Sequence, residues 1–139
     1  MLNIKQILVA GALAGALVGT AFAGGRLIPI ENPAPIAANG VAKADVIKGI
    51  HSAAKMRNFR IAETQDNVVK LAYPAGARAQ KYEAFFDVTY TGKAVEVKYA
   101  SSHGLDAGPC KEDANQICIH RNVNKWMRNL ASDIRNQLQ

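Results

Sequence analysis

Cys110, Cys118 and His120 fall within eleven residues, and His103 precedes them by seven. Such side chains either gather a soft metal ion or, in an oxidising compartment, close a disulfide. Cys110 and Cys118 are the chain's only cysteines, and Cys118 stands two residues from His120 with no C-x-x-C repeat nearby. Structural zinc sites show tighter ligand pairs, so the spacing favours a disulfide, and no metal or other cofactor is assigned. Closing so short a loop would remove roughly 2–3 kcal/mol of unfolded-state entropy in the chain-entropy model. The same neighbourhood holds the types for acyl transfer: Ser101, Ser102, His103 and Asp106. They crowd one short loop, whereas a nucleophile–base–acid triad collects its members from distant elements. Neither G-x-S-x-G nor H-E-x-x-H occurs. No catalytic residue is assigned. A metal-dependent or hydrolytic enzyme centred on His103, His120 and the cysteine loop is the alternative to a non-catalytic protein.

These residues lead into the clearest helix. Ile119, Val123, Trp126, Met127, Leu130, Ala131, Ile134 and Leu138 form one apolar stripe, which predicts a helix over about 120–138. Trp126 is expected to be its buried core anchor. His120, Asn124 and Arg128 follow at steps of four beside the stripe, with Lys125 and Asn129 in the next row. This polar seam is either a binding surface or a structural tie. The disulfide already pins the region, so the expectation is structural: His120 and Asn124 hydrogen-bond the loop from Ser102 to Leu105.

Upstream, Val46, Ile47, Ile50, Ala53 and Ala54 predict a first helix over about 41–57, with Asn39 as its cap. Gly49 either weakens that helix or marks a close approach of another element. Four alternating runs follow: "FRIAET", "VVKLAY", "KYEAFFDVTY" and "KAVEVKYA". Short connections join them, and "TG" between the last two is a hairpin signal. The expected fold is α+β: helix, four-stranded antiparallel meander, helix, with both helices packed on one face of the sheet. Tyr73, Tyr82, Tyr90 and Tyr99 close strands or flank turns and are expected to pack at the rim.

The N-terminus speaks to compartment. Lys5, an apolar run from Ile7 to Val18, and Ala21 and Ala23 before Gly24 make a secretory pattern. The run is too short for the roughly 20 residues of a permanent span. Residues 1–23 are therefore read as a signal peptide, cleaved between Ala23 and Gly24, which places the protein in the periplasm or outside the cell. Residues 24–40, with three prolines and three glycines, are read as a flexible leader, and 41–139 as a single domain. Loss of Lys5 takes the formal charge from +6 to +5. The basic residues are interleaved with acids, so a solvated mixed surface is the first reading, and a polyanion-binding role using the basic excess is kept as a further alternative. Nucleic acid is disfavoured, since no aromatic-basic RNA-binding signature occurs.

"IHRNVNKWMRNL" resembles the closing signature I-H-x-x-Y-N-K-W-x-x-N-L of a family of small secreted proteins and lipoproteins of Gram-negative bacteria. It matches at Ile119, His120, Asn124, Lys125, Trp126, Asn129 and Leu130. Ser102 and Leu105 resemble that family's loop ahead of the helix. Val123 replaces the family's tyrosine, and Phe59 stands where tryptophan is common. The two cysteines look like an addition of this chain or its near relatives. The resemblance implies the compartment and the helix–strand order. It implies no activity, because the family has no assigned biochemical function. The expectation is a small non-catalytic module that binds an envelope component or a protein partner. Material recovered from the periplasm should have the intact mass of residues 24–139 less two hydrogens. Full-length mass would refute the cleavage, and two free thiols after unreduced denaturation would refute the disulfide.

Overall fold

The computed structural model describes residues 26–139. The expected signal peptide and its cleavage point lie outside them, as do the first two residues of the leader. Strands Leu27–Pro29 (β1) and Ile36–Ala37 (β2) come first, then helix α1 (Lys43–Met56). Strands Arg60–Thr64 (β3), Val68–Tyr73 (β4), Glu83–Tyr90 (β5) and Ala94–His103 (β6) follow. Two short strands, Gly108–Pro109 (β7) and Ile117–His120 (β8), lead into helix α2 (Asn122–Gln137).

The α+β class holds, and β3 to β6 pair in sequence as an antiparallel meander. Val69, Leu71, Ala84, Phe86, Val88, Val95 and Val97 turn one face of it into a single apolar core with residues from both helices. The architecture is nevertheless larger than a meander with two helices. β2 adds a fifth strand beside β6, and β1, β8 and β7 make a separate three-stranded sheet.

Both additions involve the stretch expected to be a flexible leader, which instead contributes β1 and β2. Its prolines erase any periodic signal and remove backbone donors, but a short edge strand tolerates proline beside it. Ile36 is only 2 % exposed and pairs with Val95. Asn32 Oδ1 accepts a 3.0 Å hydrogen bond from the Tyr99 backbone N–H. Asn39 does not cap α1. It lies in a turn closed by the Val41 N–H on the Ala38 carbonyl, with Gly40 at φ 77° in the third position. The helix starts after Ala42, without a side-chain cap.

A bulge in β6 decides which side chains share a face. Phe86 opposes Tyr99 and Phe85 opposes Ser101, so Ala100 is left without an opposite number. The alternation shifts by one residue there. Ser102 joins Tyr99 on the helix side, with its Oγ 2.7 Å from the Tyr99 hydroxyl, while Ser101 and His103 pass to the open face.

The end of α2 meets α1 at Gly49, the smallest residue of that helix. A Cβ on Gly49 would lie 3.1 Å from Leu138 Cδ2 and 3.3 Å from Gln137 Cβ, so this glycine marks a close approach. Just past α1, Arg57 Nε donates to Asp133 Oδ2 at 2.5 Å and Nη2 to Oδ1 at 3.4 Å. Those hydrogen bonds, and then the carboxylate's charge, raise the Arg57 pKa above its ordinary value. Gly49→Leu should push α2 off α1 and cost about 1–3 kcal/mol by overpacking. Urea unfolding measures it, and wild-type stability would refute the close approach.

Candidate functional site

β6 ends at His103, and Gly104 turns the chain back. Gly104 has φ 72°, and a Cβ there would sit 2.0 Å from the Lys81 carbonyl oxygen and 2.9 Å from Tyr82 Cα. Only glycine lets the loop rest on the backbone that leads into β5. Leu105 then drops into the core, and its carbonyl accepts the His120 backbone N–H at 3.1 Å. The His120 ring turns towards α2, where Nδ1 accepts the Asn122 N–H at 3.2 Å. An accepting Nδ1 leaves the proton of a neutral ring on Nε2. Tyr82, Gly104, Leu105, His120, Asn122 and Trp126 thereby enclose an open cleft of about 260 Å³. That is below the usual range for drug-sized ligands, and it suits one ring or one side chain.

The cleft wall is aromatic. Trp126 stacks against Tyr82 at 6.1 Å with 18° between the planes, and it tilts against Tyr73 at 4.6 Å. Tyr73 in turn meets Phe59, and Phe59 meets Phe86. Trp126 is thus not the fully buried core anchor expected from the helical stripe. It is half-buried at the core's edge, because that part of the stripe lies over the sheet's margin, on the last residue of β4 and the connection to β5.

The disulfide holds the frame. Cys110 and Cys118 are bonded, with their Cα atoms 4.9 Å apart. Cys118 pairs with Gly108, and the Cys110 N–H donates to the Gln116 carbonyl. The staple fixes β8, whose last residue is His120. Both sulfurs are spent on each other, and no group of three metal-binding side chains converges among the described residues.

The expected polar seam divides by role. Asn124 is 1 % exposed. Its Oδ1 accepts the Glu31 N–H and its Nδ2 donates to the Pro29 carbonyl, both at 3.0 Å. It ties α2 to the exit of β1 and not to the Ser102–Leu105 loop, because that segment is folded against the helix. His120 does reach the loop, but through its backbone. Arg128 and Lys125 are exposed and Asn129 half-exposed.

The acyl-transfer types do not converge. Ser102 bonds Tyr99 on the helix side. His103 Nε2 lies 3.5 Å from Glu83 Oε1 on the open face, where Arg60 also binds Glu83. Asp106 pairs with Arg26. His51 Nε2 is 2.9 Å from Thr64 Oγ1. Sequence reasoning placed the Ser102–Leu105 loop against His120, but it missed Tyr82 and Asn122 as the other neighbours in the cleft.

Comparison of the chain with family models, curated proteins and solved structures finds no match. Asn124→Ala should cost about 1–3 kcal/mol, since it strands a part-buried N–H and carbonyl and removes a buried amide that joins them. Hydrogen exchange at the Ile30 and Glu31 amides should quicken in parallel. Unchanged melting and exchange would show that the amide does not hold β1.

Proposed function

We propose that this protein is a non-catalytic binding module of an oxidising, extracytoplasmic compartment. It seats an envelope component or a segment of a protein partner in the cleft at Trp126. One observation carries the reading: an aromatic wall, one imidazole and one amide line the cleft, with no serine, cysteine, lysine or carboxylate among the lining residues. Such a surface offers stacking and a few orienting hydrogen bonds. It offers no serine, threonine or cysteine for the imidazole to activate. The Cys110–Cys118 bond suits an oxidising compartment, as does the N-terminal secretory pattern. No helix among the described residues is long and apolar enough to cross a membrane. The resemblance of the closing helix to small secreted Gram-negative proteins supports the same setting.

Trp126 is the chain's single tryptophan, so its emission reports on the cleft directly. Titration with soluble peptidoglycan fragments and with fractionated periplasmic extract should give a saturable shift in one fraction, without turnover of that fraction. Asn122→Phe, which narrows the cleft from an exposed position, should abolish the shift and leave the melting temperature unchanged. A hydrolytic activity lost in His103→Ala or His120→Ala would replace this reading with an enzyme.

A further inference from the structure

The outer side of α2 carries charge that the rest of the fold does not balance. Arg121, Lys125, Arg128 and Arg135 recur at steps of four, three and seven, so they share one exposed ridge. The ridge is roughly 21 Å long at 1.5 Å per residue. Ser132 lies between them, also exposed. The only acid in the helix, Asp133, points the other way and is held by Arg57. None of the four cations forms an ion pair with a described residue. Glu31 lines a groove with Arg128 and Arg135 but pairs with neither.

The open face of the five-stranded sheet shows the contrary arrangement. Lys70 meets Asp87, Lys98 meets Glu96, and Arg60 and His103 share Glu83. The protein's positive excess is therefore concentrated on α2 and not spread evenly over the surface.

A second feature borders the ridge. Ile28 lines one groove with Arg121, Lys125 and Arg128 and another with Pro29, Ile30 and Gln116. Ile117, 47 % exposed, shares a face of the small sheet with Ile28, while Leu27, 39 % exposed, stands on the other face. Arg26, beside Leu27, accepts the Arg121 N–H on its carbonyl. Cations with apolar side chains at their margin match a bilayer surface, where phosphate headgroups meet acyl chains. We propose that the α2 ridge, with the exposed edge of the small sheet, docks the protein on an anionic lipid surface. An exported chain meets such a surface and not cellular nucleic acid; in that respect alone the choice rests on the compartment proposed above.

The test is co-sedimentation of the oxidised protein at low salt with vesicles of equal parts phosphatidylglycerol and phosphatidylcholine, beside vesicles of phosphatidylcholine alone. Binding is expected only to the first and should fall as salt rises. Each basic side chain near such a surface changes partitioning roughly fivefold. Lys125→Glu with Arg128→Glu alters four units of charge, so the loss should be on the order of a hundredfold or more. Lys48→Glu with Lys55→Glu, on exposed positions of α1, makes the same net change and should lose far less. Unimpaired melting and an unimpaired Trp126 response in the α2 variant keep this result separate from the cleft. Equal losses in the two double variants, or equal binding to both vesicles, would overturn the proposal. Tighter, ridge-dependent binding to a single-stranded oligonucleotide than to the vesicles would overturn it in favour of a nucleic-acid partner.

Discussion

Val69, Leu71, Phe86, Val88, Val95 and Val97 take one face of the sheet out of water, and most of the fold follows from covering it. A meander with one apolar face is not stable uncovered. α1 covers part of that face and α2 the rest, and Gly49 lets α2 come close enough for the two helices to share one core. The Arg57–Asp133 pair closes the far end of the contact. It places a carboxylate at the edge of the core with its hydrogen bonds satisfied, which is the condition for tolerating charge there.

Seating α2 on the sheet leaves Asn124 in a nearly dry position, and a buried amide must find partners. It finds them in the backbone at Pro29 and Glu31. Fastening that segment aligns β1 with β8, and the disulfide aligns β8 with β7. His120 stands at the end of this chain of constraints. Its backbone is committed to Leu105 and its ring to the first turn of α2. The cleft is thus built from elements that are each fixed for another reason, and its geometry is set before any ligand arrives.

Charge is distributed to match. On the open sheet face, cross-strand pairs set opposite signs side by side. On α2 the cations stand without such neighbours. The chain therefore has one surface that neutralises itself and one that does not, and the cleft lies beside the second, since Asn122 borders both the cleft and the basic groove.

Helical and alternating periods in the sequence determined the two helices and the four strands of the meander, because burial on one side imposes a period that local sequence must carry. The cysteine pairing was legible for a similar reason: there were only two, eight residues apart. Other features carry no period. β1 and β2 are held by edge hydrogen bonds in a stretch whose prolines hide any pattern. The bulge at Ala100 depends on the partner strand, and it brings Ser102, in place of Ser101 and His103, to the face of Tyr99. Asn124 was legible as a polar residue beside an apolar stripe, but its partners lie more than ninety residues away. Trp126 followed the stripe, yet its depth depended on what the helix overhangs. Only the tertiary structure decided these points, since a contact between distant segments depends on how whole elements pack and leaves no mark in the spacing of either one.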